Sequence, residues 1–233
     1  MLVGGAPADK PARMVAADEP IVLAGPPPRF VSRGGEKLDA ALVRFDVEIE
    51  GKRALDAGAS TGGFTDCLLQ RGAAGVIAVD VGYGQLHERL RADDRVTVRE
   101  RTNVRALVLD HPVPVVVGDL SFISLATVAP SLLGLNAAEG ADVVVLVKPQ
   151  FEAGRAEVSK GRGVVREPAV WRRVLGETAS ALSAQGAAMM GVMVSPLKGA
   201  DGNVEFLFHL RAHEAGGVVG EDALDDVVSE AAG

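Results

Sequence analysis

Short apolar runs alternate with amphipathic helical patterns along most of the chain. The apolar runs predict seven strands, at Ala54–Ala57, Gly75–Val81, Arg95–Arg99, Pro114–Asp119, Asp142–Lys148, Ala188–Val194 and Val204–Arg211. Apolar residues at helical spacing predict five helices, at Glu36–Phe45, Gly63–Arg71, Gln85–Arg91, Ile123–Leu133 and Pro168–Gln185. This alternation is typical of an α/β fold with a doubly wound, mostly parallel sheet.

The last two predicted strands are joined by only nine residues, SPLKGADGN. Parallel neighbours need a crossover of about a dozen residues or more, so these two strands should pair antiparallel. The prediction is therefore a seven-stranded sheet, with five parallel strands followed by a C-terminal antiparallel hairpin. Residues Glu152–Gly163 are polar and rich in glycine, which predicts a mobile loop directly after the fifth strand.

Composition divides the chain into three parts. Residues 1–29 are rich in Pro and Ala and predict a flexible leader, whereas residues 30–213 contain every predicted strand. Residues 214–233 form an acidic tail, with six acids and no Lys or Arg, and a short surface helix is predicted at Glu221–Ala231. The net charge is −7, but residues 1–213 hold 25 acids against 24 bases. A near-neutral body lacks the strong positive charge of many nucleic-acid binders, although it leaves room for a local basic patch.

The cysteine content and the hydropathy of the chain indicate the cellular compartment in which the protein is expected. Cys67 is the single cysteine, so no disulfide framework can form within the chain, and we expect it to be a small core residue in a reducing environment. No apolar run reaches the length of a membrane helix, and the N-terminal segment lacks the pattern of a signal peptide. We therefore expect a cytoplasmic protein without a membrane partner.

The clearest local signal is LDAGASTGGFTD, in which a short strand runs into a glycine-rich turn and then a helix. Gly58, Gly62 and Gly63 permit tight turning and close approach of a ligand, and free amides at a helix start favour an anionic group. Asp80 ends the next strand, where a carboxylate can accept both hydroxyls of a ribose. The turn is neither a Walker A loop nor GxGxxG, so S-adenosylmethionine is a more natural nucleoside cofactor than NAD.

Four polar residues occupy positions that need an explanation. Asp119 and Lys148 end the fourth and fifth strands, and neighbouring parallel strands would bring them together at the carboxyl edge of the sheet. Glu205 begins the last strand, and Lys37 lies in the first turn of a helix, where a cation gains nothing from the helix dipole. A helix cap for Asp119, solvent exposure for Lys148 and a solvated strand position for Glu205 are the structural alternatives.

Several blocks then resemble one family. SRGGEK, LDAGASTGGFTD, DVGYGQL, ERTNVR, DLSFISL, LVKPQFE and GNVEFLF occur in this order and are similar to the TlyA (haemolysin A) family of FtsJ-like methyltransferases. The resemblance covers about residues 30 to 212 and implies a Rossmann-like class I methyltransferase fold. It also implies 2′-O-ribose methylation of ribosomal RNA, with ribosomal RNA or a ribosomal subunit as partner.

The resemblance implies roles for individual residues. It carries a Lys–Asp–Lys–Glu catalytic tetrad onto Lys37, Asp119, Lys148 and Glu205, without a metal. It implies that S-adenosylmethionine is bound by the glycine-rich turn, by the carboxylate after the second strand and by an asparagine near the adenine. These cofactor-binding residues are Asp56, Gly58, Ser60, Thr61, Gly62, Gly63, Asp80 and Asn103.

One departure from the family keeps a second function open. Family members usually carry a small basic S4-type RNA-binding domain before the SRG motif, and the 29 residues found here are too short for it. The alternative is therefore an O-methyltransferase of a hydroxylated small molecule that uses the same tetrad. A pore-forming haemolysin would need membrane-length or amphipathic segments, and a non-catalytic binding module would not need four polar residues at strand ends.

Overall fold

The computed structural model describes residues 1–8, 13–22, 27–161, 163–199, 201–217 and 219–233. The described strands form two sheets. The small N-terminal sheet contains β1 (Leu2–Val3), β2 (Ala6–Pro7) and β3 (Ile21–Val22). The main sheet contains β4 (Arg53–Ala57), β5 (Gly75–Val79), β6 (Val96–Arg99), β7 (Val113–Gly118), β8 (Ala137–Val147), β9 (Ala187–Val194) and β10 (Phe206–Ala212).

Eight α-helices occur in the described part of the chain. They are α1 (Gly34–Arg44), α2 (Gly63–Gln70), α3 (Glu88–Arg91), α4 (Leu125–Ala129), α5 (Pro149–Glu152), α6 (Arg155–Lys160), α7 (Pro168–Ser183) and α8 (Glu221–Ala232). A 3₁₀ turn at Val104–Ala106 and a π-helical segment at Pro130–Leu135 complete the connections.

The main sheet has the strand order β6-β5-β4-β7-β8-β10-β9. Pairing is parallel from β6 to β8, and β10 runs antiparallel to both β8 and β9. The predicted α/β fold with a mostly parallel seven-stranded sheet and an antiparallel C-terminal pair is confirmed. Chain order reverses between β4 and β7, and the crevice at such a reversal is where open α/β sheets bind ligands.

Helices cover both faces of the main sheet. On one face α1 and α2 bury residues such as Leu38 and Leu68, and on the other α4, α7 and α8 bury residues such as Val128 and Leu175. Apolar positions repeat at helical spacing in these segments, so each helix presents one apolar face to the strands. Cys67 is a fully buried member of the first layer, and burial raises the pKa of its thiol to about 12.

The segment after β8 is more regular than the sequence predicted. Residues Glu152–Gly163, predicted as a mobile loop, contain the end of α5 and all of α6. The glycines that suggested a loop lie at the boundaries of α6, since Gly154 precedes it and Gly161 follows it. Ala, Glu and Lys are good helix formers, and they occupy the interval between those glycines. The loop prediction was therefore wrong for this interval, while residue 162 lies outside the described residues.

The predicted helix of the acidic tail is present as α8. It contributes Leu224, Val227 and Val228 to the core beside α7 and β9. Arg172 of α7 forms ion pairs with acidic side chains in the first two turns of α8. The acidic tail thus includes an attached helix with one apolar face. The division of the chain at residues 29 and 213 remains a proposal, and parts of the predicted leader, residues 9–12 and 23–26, lie outside the described residues.

Candidate active site

The glycine-rich turn after β4 brings two loops into contact. Gly58 has a φ of 85°, and a Cβ atom there would lie 2.7 Å from the carbonyl oxygen of Asp119. Glycine is needed for both reasons, because other residues disfavour this φ and lack the space. The amides of Gly58 and Ala59 donate to the Val79 carbonyl at 2.8 and 3.0 Å. The ends of β4, β5 and β7 are thereby held together at one edge of the sheet.

Asp80 ties the turn after β5 to this assembly. Its carboxylate accepts hydrogen bonds from the Ser60 amide at 2.8 Å and from the Gly82 amide at 2.7 Å. Asp80 also lines a cavity of about 420 Å³ together with Gly58, Ser60 and Asn103. The Asn103 side chain accepts a hydrogen bond from a backbone amide of the following turn, which fixes its position at the cavity wall. Four of the predicted cofactor-binding residues therefore share one cavity.

Two other predicted cofactor-binding residues lie behind this wall. Asp56 is fully buried and accepts a hydrogen bond from the Thr65 hydroxyl at 2.6 Å. Burial raises its pKa to about 7, and the nearby charges of other carboxylates add to the effect. Gly62 has a φ of 96°, and a Cβ there would collide with Leu90 at 2.2 Å. Asp56 and Gly62 line neither this cavity nor the smaller one described next, and they support the glycine-rich turn from the protein interior.

A second, smaller cavity of about 270 Å³ adjoins the first. Gly58, Ser60 and Asp119 line both cavities, so the two spaces share a wall. The predicted residues Thr61 and Gly63 line the smaller cavity only. Its remaining lining includes Ser32, Arg33, Lys37, Ser121 and Lys148. The predicted cofactor-binding turn thus lies between a larger cavity and a smaller, more polar one that contains two amines.

Lys37 and Glu205 form a buried ion pair. The Lys37 Nζ lies 2.5 Å from Glu205 Oε2, and the residues are 7% and 2% exposed. This contact explains why a lysine occupies the first turn of α1, since its partner lies across the structure and not on its own helix. It also excludes the solvated alternative for Glu205. A strand pattern alone cannot distinguish these cases, because the partner is 168 residues away in sequence.

Lys148 and Asp119 form the second pair. The Lys148 Nζ lies 2.5 Å from Asp119 Oδ1 as an ion pair without hydrogen-bond geometry, and it donates a hydrogen bond to the Ser121 hydroxyl at 2.9 Å. Lys148 is 9% exposed, so this strand does not end at open solvent. All four predicted tetrad residues are therefore arranged as two ion pairs. Lys37, Lys148 and Asp119 line the smaller cavity, and Glu205 does not.

Sequence reasoning missed three residues beside Lys148. Ser121 accepts its hydrogen bond, and Phe122 is 90% exposed with a φ of 64° at the rim of the larger cavity. The Phe122 ring lies 4.9 Å from that of Phe151, centroid to centroid. An exposed aromatic residue with a left-handed backbone is unusual and points to function. In the sequence Phe122 precedes an apolar helical pattern and resembles a core residue.

Other candidate sites in the described residues are less suited to chemistry. A cavity of about 870 Å³ lies between α7, β9 and the segment before α8, and it contains none of the predicted site residues. Within the described residues, no group of three or more His, Cys, Asp or Glu side chains could hold a metal ion. The two adjoining cavities beside the ion pairs are therefore the candidate active site.

The chain is similar to several known proteins over most of its length. The family model described as FtsJ-like methyltransferase matches residues 30–212. The chain is 48% identical to "16S/23S rRNA (cytidine-2'-O)-methyltransferase TlyA" of Mycobacterium tuberculosis, covering 98% of this chain and 87% of that protein. It is 32% identical to "23S rRNA (cytidine-2'-O)-methyltransferase TlyA" of Campylobacter jejuni, covering 77% and 70%. A solved structure described as "Putative hemolysin from Streptococcus thermophilus" is 40% identical with a TM-score of 0.87, covering 97% and 83%.

Proposed function

The chain belongs to the FtsJ-like methyltransferase family, and from this premise we propose that it methylates the 2′-hydroxyl of a cytidine in ribosomal RNA with S-adenosylmethionine as methyl donor. The observation that carries the proposal is the pair of buried lysine–carboxylate contacts beside a polar cavity. A ribosomal substrate also implies that the protein acts in the cytoplasm. The names of the relatives supply the substrate class, and the site supplies the chemistry.

The larger cavity has the groups that S-adenosylmethionine requires. Asp80 offers carboxylate oxygens to a ribose, and Asn103 offers a side-chain amide at the same wall. Gly58 has no side chain, so the backbone of the turn can approach the ligand closely. When bound, S-adenosylmethionine supplies an electrophilic methyl group on a sulfonium centre. Gly58, Ser60 and Asp119 line both cavities, so a cofactor held in the larger cavity would adjoin the smaller one.

The smaller cavity has the groups that a ribose hydroxyl requires. A hydroxyl is a poor nucleophile, and its proton must leave as the new carbon–oxygen bond forms. Lys148 can orient the hydroxyl oxygen, and after releasing its own proton to solvent it can accept the hydroxyl proton, while Asp119 balances the resulting ammonium. Lys37 is held by Glu205 and lines the same space, where it can bind a second oxygen of the ribose. Positioning of the two reactants supplies much of the remaining acceleration.

The rim of the site suits a nucleotide. The exposed Phe122 ring offers a surface on which a base can stack, and such stacking contributes about 1–3 kcal/mol per base. Arg33 lines the smaller cavity, is exposed and has no ion-pair partner among the described residues. It is therefore available for a phosphate. These two residues favour RNA over the small-molecule alternative, which the named relatives also do not favour.

The pore-forming alternative lacks support from the helices. None of the helices in the described ranges combines the length and the apolar character needed to cross a membrane. Relatives named for haemolysis and relatives named for RNA methylation both match this chain, and only the second name corresponds to the chemistry of the site.

The proposal is tested by offering methyl-labelled S-adenosylmethionine with small ribosomal subunits, large subunits, free ribosomal RNA and a small-molecule extract in parallel. We expect label in ribosomal RNA or subunits. The Lys148→Ala variant is the control for transfer at this site. Label confined to small molecules would overturn the RNA substrate but not methyl transfer, and no label in any sample would overturn both.

A further inference from the structure

Two segments of the chain contact each other beside Lys148. The first, here called the acceptor loop, comprises residues 119–125, which connect the end of β7 to the first residue of α4. The second, here called the Lys148 turn, comprises residues 148–152, which are the residue directly after β8 and helix α5. Asp119 is fixed at the start of the acceptor loop, because its amide donates to the Ala57 carbonyl at 3.0 Å. Within the described residues, the amides of 120–123 donate no hydrogen bond.

Glu152 connects the far end of the acceptor loop to the Lys148 turn. One carboxylate oxygen accepts the Leu125 amide at 2.8 Å, and the other accepts the Ser124 hydroxyl at 2.6 Å. The Ser124 oxygen in turn accepts the Ala126 amide at 3.2 Å. Glu152 and Ser124 together therefore accept the free amides of the first turn of α4. Charge-assisted hydrogen bonds of this kind are shorter and stronger than neutral ones.

The Lys148 turn is a short helical unit that connects Glu152 to the residue carrying the Lys148 amine. The Phe151 amide donates to the Lys148 carbonyl and the Ala153 amide to the Pro149 carbonyl, both at 2.9 Å, so the turn is one rigid helical unit. Three further contacts join the segments, namely Lys148 with Asp119, Lys148 with Ser121 and Phe151 with Phe122. Glu152 holds the far end of the acceptor loop against the turn that carries Lys148.

We propose that Glu152 is a positioning residue for methyl transfer, which holds the acceptor loop against the Lys148 turn and so keeps Ser121 and Phe122 in place around the Lys148 amine. It does not touch the reacting atoms. The inference rests on the proposed function, because the rate that it controls is that of methyl transfer. Misplacement of a reacting group by about 1 Å lowers rates by about 100-fold, so a residue outside the cavities can control the reaction.

The test compares Glu152→Ala, Glu152→Gln, Ser124→Ala and the control Glu230→Ala, whose side chain is exposed on α8. Single-turnover methyl transfer is measured at saturating cofactor and ribosomal subunits, cofactor affinity by calorimetry, and loop mobility by hydrogen exchange of residues 120–126. We expect Glu152→Ala to lower the rate by about 10- to 100-fold. Exchange in the loop should rise while exchange in the main sheet and cofactor affinity change by no more than about threefold.

Glu152→Gln keeps one acceptor oxygen, so its rate should lie between those of the wild type and Glu152→Ala, and Ser124→Ala should resemble it. Glu230→Ala should match the wild type. A rate for Glu152→Ala within about twofold of the wild type would overturn the positioning role alone. A parallel loss of cofactor affinity and of protection throughout the sheet would also overturn it, because the residue would then be structural. A wild-type protein that labels no ribosomal acceptor overturns the proposed function, and this role with it.

Discussion

Lys37 and Lys148 are buried amines, and each is balanced by one carboxylate. Buried ion pairs contribute little net stability, because desolvation of the charges offsets their attraction. Two such pairs beside one cavity are therefore better explained by function than by folding. Lys148 lines the smaller cavity and contacts the acceptor loop, so it is the residue whose removal distinguishes chemistry from binding most clearly.

Lys148→Ala should lower methyl transfer by at least about 100-fold, because the group that orients and deprotonates the hydroxyl is lost. Cofactor affinity should stay within a few-fold, since Lys148 lines the smaller cavity and not the larger one. Calorimetry and transfer of labelled methyl measure the two effects. Lys52→Ala is the matched control, because Lys52 also pairs with a carboxylate, Asp142, away from both cavities. A large loss of cofactor affinity in Lys148→Ala would contradict its assigned role.

Asp80→Ala should weaken cofactor binding, in contrast to Lys148→Ala. The carboxylate holds the turns after β4 and β5 and is proposed to bind the ribose of the cofactor. Loss of hydrogen bonds to a charged group corresponds to about 1.5–3 kcal/mol, or about 10- to 100-fold in the dissociation constant. Calorimetric titration with S-adenosylmethionine measures this dissociation constant. An unchanged dissociation constant would remove Asp80 from the cofactor site.

Asp56 makes stability depend on pH. Its pKa is raised from 3.8 to about 7 by burial, so the folded protein holds this proton more tightly than the unfolded chain does. The unfolding free energy of the wild type should therefore fall as pH rises from about 4 to about 7 and stay lowered above that. Asp56→Asn cannot titrate and can still accept from Thr65. Its melting temperature relative to the wild type should rise between about pH 4 and about pH 7, and parallel curves would contradict this assignment.

At the scale of elements, the contact between α1 and α2 sets the position of Lys37. A Cβ atom on Gly63 would lie 2.3 Å from the Ser32 hydroxyl and 2.8 Å from the Gly35 amide nitrogen. The first residue of α2 therefore has to be glycine for α1 to pack this closely. Because α1 carries Lys37, the same contact places one of the two buried amines at the smaller cavity.

Gly63→Ala should push α1 away from the glycine-rich turn. We expect a loss of about 1–3 kcal/mol in the free energy of unfolding and reduced methyl transfer. Gly134→Ala is the control, since a Cβ there meets nothing within 4 Å, and its stability should change by no more than about 0.5 kcal/mol. Urea unfolding and the labelled-methyl assay measure both effects. Equal stability and activity of the two variants would show that α1 tolerates displacement.

For the whole molecule, the sequence predicted the fold and the four residues of the two ion pairs, but not Ser121, Phe122 and Phe151. Strands and helices alternate with distinct periods, so the sheet and its antiparallel pair followed from pattern and linker length. The pairing of Lys37 with Glu205 did not follow, because its two members are far apart in sequence. The exposure of Phe122 did not follow either, because it depends on one left-handed backbone angle. The bonding of Glu152 depends on two segments that meet only in the folded chain.

Charge is arranged unevenly over the whole molecule. The acidic helix α8 packs against α7 and β9, next to the outer edge of the main sheet, whereas the two cavities lie at the carboxyl ends of β4, β5 and β7. The surplus of acids is therefore not concentrated in the lining of the site. This arrangement is compatible with a polyanionic substrate despite a net charge of −7.

The measurement that tests the central claim most directly is nucleoside analysis by mass spectrometry of ribosomal RNA after reaction with S-adenosylmethionine, with Lys148→Ala in parallel. The account predicts 2′-O-methylcytidine in the wild-type sample and none above background in the variant. Methyl groups on a base rather than on the ribose, or equal 2′-O-methylation by the variant, would contradict it.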